Sequence, residues 1–598
     1  MLKSFTTACR TAFILLLNAS CLFSQAMIFL EAESFPEKGG WVVDQQFMDQ
    51  MGSPYLLAHG LGMPVKDAAT TASVRKNGNY FLWVRTKDWA PFPRGPGRFR
   101  IGVNGTLLDT VFGASGLAAW KWYPGGRIPL AAGPVRISLR DLAGFEGRVD
   151  AVLLTDKKDF RPPDEPQTLK TFRRKALGLP DTPPDAGTYD LAVVGGGIAG
   201  ICAAVSAARL GLSVVLVHDR PALGGNNSSE IRVHLMGDLD TNAFPKLGRI
   251  VRELDNGDPG NAAPEPEAYG DDRKREVVEA EKNIALFLKW HMTGVETMDG
   301  RITALLARHI ESGEEKHFSA SWFVDCTGDA SIGFLAGADW RMGRESRSET
   351  GESMAADGPD RFTMGSSNLW YAVQEDRPSA FPECNWALPF SDAYHLDETR
   401  ADWRWETGYG NFDPVLEAEA LRDHNFRAVY GNWSYLKNRR SGKYADWRLA
   451  WLAYVAGKRE SRRLLGDVVL TQQDIQERKP FPDACVTTTW NLDLHVPDST
   501  NSRFFPGREF YSGYVHPEIE PYTIPYRCLY SRNIENLFMA GRNISVTHVA
   551  LGTVRVMRTG GMMGEVVGMA AFLCKKHRTT PRGIYERHLD ELMRLLSD

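Results

Sequence analysis

The sequence predicts an α/β fold with an N-terminal β-sandwich, and three observations point to that class. Short alternating apolar segments separated by Gly and Asn turns fill residues 27–157, which is the spacing of a β-sandwich. A stretch rich in proline and charge follows at residues 158–187 and predicts a semi-rigid linker. Beyond residue 188, an apolar strand, a glycine-rich turn and an alanine-rich helix follow in the order of a βαβ unit.

The glycine-rich turn is the most specific of these features. The strand Leu191–Val194 runs into Gly195-x-Gly197-x-x-Gly200, and after the helix a second strand covers residues 213–217. In this pattern the first glycine permits a tight turn, the second lets a pyrophosphate approach the backbone, and the third lets the helix pack on the strand. The helix N-terminus adds free N–H groups and a positive dipole end. The pattern predicts a dinucleotide site; a glycine-rich turn without a ligand is the alternative.

Landmarks of the N-terminal segment resemble those of carbohydrate-binding jelly-roll modules. It opens with Leu30–Glu33, has a Val103–Gly105 turn and closes with Arg148–Thr155. The predicted strands are Tyr80–Arg85, Phe99–Val103, Val135–Leu139 and Val149–Leu154. The resemblance implies a structural calcium held by Glu31, Glu33 and Asp150, and oxygen ligands suit that hard ion. A solvated strand edge is the alternative for these three acids, and the module either binds sugar or serves only for packing.

Composition excludes several classes of function. The 598 residues include 70 Lys and Arg against 74 Asp and Glu, so the electrostatic footprint of a nucleic-acid-binding protein is missing from the sequence. The eight cysteines include no C-x-x-C pair, and a cysteine-ligated iron–sulfur cluster or zinc site has no support.

The N-terminus has the pattern of a secretory signal peptide. Lys3 and Arg10 precede the apolar run Ala12–Leu17, and small residues lead up to Ala26, so cleavage after residue 26 is expected. The protein is therefore expected to be secreted or periplasmic. Lipoprotein processing at Cys21 and a buried N-terminal helix are the alternatives. The apolar run is too short for a bilayer, and no transmembrane span is expected in the mature chain.

Three further segments turn a generic dinucleotide site into a flavin site. A Leu223-Gly-Gly225 turn soon after the second strand is typical of flavoproteins whose FAD lies along the sheet. Thr327-Gly-Asp329 and Ala540-Gly-Arg542 each follow an apolar strand, and an apolar helix follows the last of them. The N-terminus of that helix would favour the negative charge of reduced flavin.

The arrangement resembles the FAD-dependent oxidoreductase family that groups fumarate-reductase-like and heterodisulfide-reductase-A-like flavoproteins, over about residues 188–595. The most specific pieces are Gly224–Arg232, Gly457–Gly466, Pro521–Arg527 and Gly541–His548. The resemblance implies an FAD-binding Rossmann-like (GR2-type) fold. Its FAD-binding domain has two parts, residues 188–342 and 514–598, and residues 343–513 form an inserted α+β substrate domain.

The same resemblance implies which residues hold FAD. They are Gly195, Gly197, Gly200, Asp219, Arg220, Gly224, Gly225, Gly328, Asp329, Gly541, Arg542 and Gly564. Two departures from the family pattern stand out. The acidic residue that binds the adenosine ribose would fall at His218, with Asp219 adjacent as a substitute. Some relatives carry 4Fe–4S clusters, but this chain lacks their cysteine motifs.

The residues of the insert suggest a small polar substrate. Half of the 16 tryptophans lie there, and aromatic faces stack on sugars, although most buried tryptophans are simply core. They are Trp370, Trp386, Trp403, Trp405, Trp433, Trp447, Trp451 and Trp490. Oxidation of a hydroxyl-bearing carbon needs a base for the hydroxyl proton and a flavin N5 for the hydride. His548 and His234 are the candidate bases, and a base at neither position is the third possibility.

A charged cluster, Arg459, Glu460, Arg462 and Arg463, has two interpretations: an anion or hydroxyl clamp, or a helical salt-bridge network. The leading hypothesis is a secreted flavoprotein oxidoreductase that acts on a sugar or glycoside by hydride transfer to or from flavin N5. The alternatives are a fumarate-reductase-like reductase of an unsaturated acid and a redox-inactive carbohydrate-binding protein. The electron acceptor and the direction of the reaction stay open.

Overall fold

The computed structural model describes residues 27–90 and 95–597, which divide into two compact units. The first unit contains residues 27–44 and 52–179, and the second contains residues 45–51 together with residues 180–597. The predicted signal peptide, residues 1–26, lies outside the described residues. Within the described ranges, no helix combines the length and the apolar character that crossing a membrane requires.

The first unit is the predicted β-sandwich, built from antiparallel strands. Its three sheets contain, in spatial order, Met27–Glu31, Ala151–Thr155, Gly78–Thr86 and Lys121–Leu130; Ala68–Val74, Gly133–Asp141, Phe99–Val103 and Thr106–Phe112; and Gly147–Val149, Tyr55–Ala58 and Val42–Asp44. The predicted turn at Asn104 and Gly105 has φ angles of 48° and 84°, as a two-residue type I′ hairpin requires. The predicted last strand is interrupted at Asp150, whose neighbours on either side pair in different sheets.

The predicted linker differs from the structure because much of it is helical. An α-helix spans Pro166–Ala176 and belongs to the first unit. Glu165 caps it by accepting the backbone N–H groups of Gln167 and Thr168, at 3.0 and 2.7 Å. Leu169 is buried in a cluster with aromatic residues of the sandwich. Proline and charge suggested an extended spacer, but Pro166 stands at the first helical turn, where it is tolerated.

The second unit is built on a mixed seven-stranded sheet. Its path runs Ile284–Leu288, Val214–His218, Asp185–Val194, Glu315–Asp325, Arg301–His309 and Trp290–Met298, and Leu537–Met539 pairs with the end of Glu315–Asp325. The first four strands of the path and Leu537–Met539 are parallel, and the other two join by antiparallel pairing. The predicted Rossmann-like arrangement is confirmed.

Two long helices cover the central strands and touch each other closely. Ile198–Arg209 begins directly after the glycine-rich turn, and Met557–His577 packs across it. A Cβ atom at Gly564 would lie 2.1 Å from the carbonyl oxygen of Ala199, so only glycine permits this approach. Gly564, predicted to bind the cofactor, therefore serves the contact between the helices.

The region predicted as an insert belongs to the same compact unit as the sheet. Its longest helix is Ala418–Arg439, and its strands form two-stranded ladders. They are Trp340–Arg341 with Arg463–Leu464, Ser366–Ser367 with Gly457–Lys458, Trp370–Gln374 with Trp447–Leu452, Ala484–Thr488 with Tyr522–Pro525, and Leu494–Pro497 with Ser512–Val515. The arginine cluster at residues 459–463 thus follows one short strand and ends on the first residue of the next, and it is not on a helix.

Shorter helices connect these elements. The α-helices are Met48–Met51, Arg249–Leu254, Asp271–Glu279, Ser331–Ala336, Arg347–Thr350, Ser441–Tyr444, Gln472–Gln476, Ser499–Phe504, His548–Val554, Pro581–Arg587 and Leu589–Ser597, and the 3₁₀-helices are Ala32–Ser34, Pro266–Tyr269 and Tyr526–Cys528.

Candidate functional site

A cavity of about 670 Å³ lies in the second unit at the carboxyl ends of its parallel strands. Residues that directly follow four strands line it: Gly195, Asp219, Cys326 and Ala540. Open α/β sheets bind their ligands at this edge.

The glycine-rich turn forms one wall of the cavity. A Cβ atom at Gly197 would meet only the Cα atom of Gly225, at 3.8 Å, so Gly197 leaves the wall open, whereas a Cβ atom at Gly225, where φ is 65°, would lie 3.0 Å from the Gly197 Cα atom. Gly195 has a φ of 102°, and a Cβ at Gly200 would lie 1.8 Å from the Gly195 carbonyl oxygen. Gly197 therefore admits a ligand, Gly225 permits the close approach to it, and Gly195 and Gly200 fix the turn.

His218 supports the turn and leaves the neighbouring acid for a ligand. Its Nδ1 accepts the N–H of Gly196 at 3.0 Å, and its Nε2 donates to the carbonyl oxygen of Ala222 at 3.0 Å. Burial lowers the pKa of His218 to about 4, so the ring is neutral. Asp219 lines the cavity as a carboxylate: burial alone would raise its pKa, but His291 and other neighbours hold that pKa well below its usual value.

A buried arginine adds positive charge beside the glycines. Arg220 lines the cavity close to Gly225: a Cβ atom built at Gly225 would lie 3.9 Å from the Nη2 atom of Arg220. Its Nη1 lies 3.4 Å from Glu230 and forms no hydrogen bond within the described part of the chain. An arginine with an unused donor in a cavity wall is suited to an anionic ligand.

The opposite wall carries a salt-bridge network around Asp329. Its carboxylate binds Lys458 Nζ at 2.6 Å, Ser461 Oγ at 2.7 Å and Arg542 Nη2 at 3.0 Å. Burial alone would raise the pKa of Asp329, but Lys458 and Arg542 outweigh it and lower that pKa. Beside this wall, Met557 and its neighbours bring the N-terminus of helix Met557–His577, with its positive dipole end, to the cavity.

A second polar group lies where the insert meets the cavity. His495 Nδ1 is 2.5 Å from Glu406 Oε2, and its Nε2 is 3.3 Å from Asp493 Oδ1. Arg459 Nη1 lies 3.3 Å from Glu406, and Arg555 Nη2 lies 2.6 Å from Asp493. All of these residues except Glu406 line the cavity, and Glu406 is fully buried behind them.

The charges of this group balance. Burial alone would raise the pKa of Glu406 and that of Asp493. Arg459 and His495 outweigh it at Glu406 and lower the pKa of that carboxyl. Arg555 and His495 do the same at Asp493. The two arginines thus balance the two carboxylates, and His495 adds a positive charge only when its ring is protonated. Sequence reasoning named Arg459 but missed the other members of this group, although Asp493-x-His495 is a local signal for two of them.

A family model described as "FAD dependent oxidoreductase" matches residues 190–596. The chain belongs to the FAD-dependent oxidoreductase family. That membership confirms the predicted enzyme class and the predicted FAD cofactor. A search of curated proteins gave no significant match.

Solved structures similar to this oxidoreductase fall into two sets. A family 35 carbohydrate-binding module from Clostridium thermocellum has 20% identity and a TM-score of 0.19, covering 21% of this chain and 96% of its own. A geranylgeranyl bacteriochlorophyll reductase-like protein from Thermoplasma acidophilum has 13% identity and a TM-score of 0.30, covering 68% and 83%. The E. coli quinol fumarate reductase has 13% identity and a TM-score of 0.26, covering 65% and 70%.

The cavity of the oxidoreductase fits FAD. The open position at Gly197 and the guanidinium of Arg220 suit a pyrophosphate, and Asp219, directly after the second strand, suits the adenosine ribose. The predicted FAD-binding residues line the cavity with two exceptions, Gly200 and Gly564, which serve the turn and the helix contact.

The two histidines predicted as candidate bases lie in different places. His548 does not appear in the cavity wall: its Nδ1 is 2.9 Å from Glu460, its backbone N–H donates to Glu345 at 2.9 Å, and it is buried. His234 lines the cavity, and its Nδ1 lies 2.8 Å from Asp258.

The predicted arginine clamp is not assembled in the cavity, because its members point to different surroundings. Arg459 lines the cavity. The guanidinium of Arg462 lies 3.8 Å from the ring centroid of Phe334, outside the cavity wall. Arg463 is buried against Glu460 and Glu345. The alternative salt-bridge network therefore exists between Glu460 and Arg463, but without the helix that was expected to carry it.

The tryptophans of the insert have different surroundings, and Trp386, Trp447 and Trp451 are half-buried outside the cavity wall. Trp403 and Trp490 line the cavity, whereas Trp370, Trp405 and Trp433 are at most 2% exposed. Trp403 also contacts the ring of His495, with centroids 5.2 Å apart. Of the two cavity-lining tryptophans, Trp403 thus stands beside the polar group around His495.

The three predicted calcium ligands of the first unit come together, but arginines already bind two of them, Glu31 and Asp150. Glu31, Glu33 and Asp150 place carboxylate oxygens within 4.8 Å of one another. Arg173, from helix Pro166–Ala176, binds Glu31 at 2.5 Å and also binds Asp150, and Arg85 binds Asp150 at 2.7 Å. With guanidinium groups on two of the three carboxylates, the site does not fit a calcium ion as it stands.

Proposed function

We propose that this FAD-dependent oxidoreductase oxidises a small, uncharged, polyhydroxylated molecule, a sugar or glycoside. The observation that carries the proposal is the charge-balanced polar group of His495, Asp493, Arg459 and Arg555 beside Trp403. Such a group offers both donors and acceptors to hydroxyl groups, and an indole face stacks on the C–H face of a sugar ring.

His495 is the residue we assign as the base. Nδ1–H donates to Glu406, so in the neutral ring Nε2 carries the lone pair and can take a proton from a substrate hydroxyl. Asp493, 3.3 Å from Nε2, stabilises the imidazolium that results. FAD, when bound, supplies the acceptor for the hydride that leaves the same carbon. The carbon–oxygen single bond thereby becomes a carbonyl, and the proton stays on His495.

A reductase of an unsaturated acid is the competing function. It would need uncompensated positive charge for a carboxylate, and Arg459 and Arg555 are the cations that line this part of the cavity. Each of them faces a carboxylate, Glu406 and Asp493 respectively. That pairing favours neutral substrates over dicarboxylates.

The test is anaerobic mixing of the FAD-loaded protein with a panel of sugars, glycosides and organic acids. The absorbance of the visible flavin band is recorded for each compound. Bleaching by at least one neutral sugar, but by no organic acid, is the expected result. If dicarboxylates perturb the band and no sugar does, the reductase function replaces this one. Export is part of the proposal and rests on the N-terminal sequence; cell fractionation that finds the protein only in the cytoplasm would refute it.

A further inference from the structure

A short N-terminal segment takes part in the cofactor cavity. Gln45–Met51 belongs to the second unit, although the residues before and after it in sequence belong to the first. Gln45, Gln46, Phe47 and Asp49 line the cavity. The part of the chain that matches the family begins only at residue 190, so this segment is an addition to the family's own site.

The segment is anchored by specific contacts. Gln46 Nε2 donates to the carbonyl oxygen of Tyr454 at 2.9 Å, and the N–H of Ala456 donates to Gln46 Oε1 at 2.9 Å. Phe47 is buried, and the guanidinium of Arg422 lies 4.9 Å from its ring centroid. These contacts hold the backbone that carries Asp49.

Asp49 is connected to the ribose-binding acid through one histidine. Its Oδ1 lies 2.9 Å from His291 Nε2, and His291 Nδ1 lies 3.8 Å from Asp219 Oδ2. Burial alone would lower the pKa of His291, but the two carboxylates outweigh it and raise that pKa to about 10. The ring is therefore an imidazolium held between Asp49 and Asp219, and all three side chains line the cavity.

We propose that Asp49 and His291 are positioning residues for the adenosine ribose of FAD. His291 restrains the Asp219 carboxylate at the end of its strand, and Asp49 restrains His291. The N-terminal region thus contributes to cofactor retention, independently of any sugar binding by its sandwich. A carboxylate held in one orientation loses less conformational freedom when it binds the ribose hydroxyls, so the affinity for FAD rises.

The test compares flavin affinities of the full-length apoprotein, by titration of flavin fluorescence, for the wild type and for Asp49→Asn and His291→Gln. We expect each substitution to raise the Kd of FAD by about tenfold. The Kd of FMN, which has no adenosine, is expected to stay unchanged. The affinity of ADP, measured by competition, is expected to fall by the same factor as that of FAD. The double variant is expected to be no worse than the more affected single variant, since both act through one carboxylate.

Glu591→Gln is the matched control, since it removes a carboxylate from another histidine pair, 2.6 Å from His577, that does not line the cavity. Its FAD affinity should equal that of the wild type. Unchanged FAD affinity in both test variants would overturn the proposal. So would an equal loss for FAD and FMN with a lower thermal midpoint of the apoprotein, because that result means a structural role only. No substrate enters the measurement, so its outcome is independent of the proposed sugar.

Discussion

His495 and Glu406 form a hydrogen-bonded pair, with 2.5 Å between Nδ1 and Oε2, in which only the histidine reaches the cavity. The buried acid fixes the tautomer and the orientation of the ring, as a third group does in nucleophile–base arrangements. His548 and Glu460 form a similar pair at 2.9 Å, but neither residue lines the cavity. Of these two pairs, only the one with His495 is placed to reach a ligand in the cavity.

Replacing His495 should impair the chemistry without loss of the cofactor. We expect His495→Gln to lower the rate of flavin bleaching by a reactive sugar by roughly 10² to 10⁴, the usual contribution of a general base. FAD content should stay at the wild-type level. His548→Gln is the matched comparison: it should lower the thermal midpoint, because Glu460 is left buried with one partner fewer, and leave the bleaching rate within about threefold. Loss of bleaching in His548→Gln with a normal rate in His495→Gln would return the role of base to His548.

Two glycines of the same turn should respond in opposite ways to one added methyl group. Gly197 has a φ of −72° and space for a Cβ atom on the cavity side, so Gly197→Ala should fold and lose FAD affinity. Gly200→Ala would place its Cβ 1.8 Å from the Gly195 carbonyl oxygen and should lower the yield of folded protein. Thermal unfolding of the apoproteins and FAD titration separate the two effects. Equal FAD affinity of Gly197→Ala and the wild type would refute the assignment of Gly197 to the FAD-binding wall of the cavity.

The cofactor half of the site could be predicted from the sequence, and the substrate half could not, for a physical reason. The glycine-rich turn and the three strand-end motifs act through local backbone geometry, so spacing alone reveals them. His495 reaches the cavity because its strand pairs with Ser512–Val515, and its partner Glu406 comes from a distant part of the chain. Such a contact depends on tertiary packing, which no local pattern encodes.

The same limit applies to the N-terminal region. The alternating strands and the Asn104–Gly105 turn identify the sandwich, since each is a local signal. Gln45–Met51 belongs to the second unit through contacts with residues far away in the sequence, and no local pattern predicts such contacts. Arg173 likewise sits in a stretch whose prolines suggested a linker, and only packing reveals its carboxylate partners.

Removing the guanidinium of Arg173 should create a dependence on calcium. Arg173→Met leaves Glu31 and Asp150 buried with less compensation and should destabilise the first unit by about 3–5 kcal/mol. With the guanidinium gone, the carboxylates can accept Ca²⁺, so millimolar CaCl₂ should raise the thermal midpoint of the variant but not that of the wild type. Lys170→Met, on an exposed position of the same helix, is the control and should show neither effect. A calcium-dependent midpoint in the wild type would mean that the arginines do not replace the ion.

The buried carboxyl of Glu565, on helix Met557–His577, should make the stability of the protein depend on pH. Glu565 accepts the N–H groups of Gly248 and Ile250, at 2.9 and 3.1 Å, and is 2% exposed. Burial outweighs these bonds and raises its pKa from 4.5 to about 7. The folded state therefore binds this proton more tightly than the unfolded state does. The resulting stabilisation is complete below about pH 4.5 and is lost as the pH rises through about 7.

The loss amounts to about 3 kcal/mol across that interval, at 1.36 kcal/mol per pKa unit. Glu565→Gln mimics the protonated acid and removes the dependence. Its thermal midpoint relative to the wild type should rise between about pH 4.5 and pH 7 and then stay level. Glu586→Gln, at an exposed position, should run parallel to the wild type throughout. A constant difference between Glu565→Gln and the wild type over this range would show that Glu565 does not retain its proton near neutral pH.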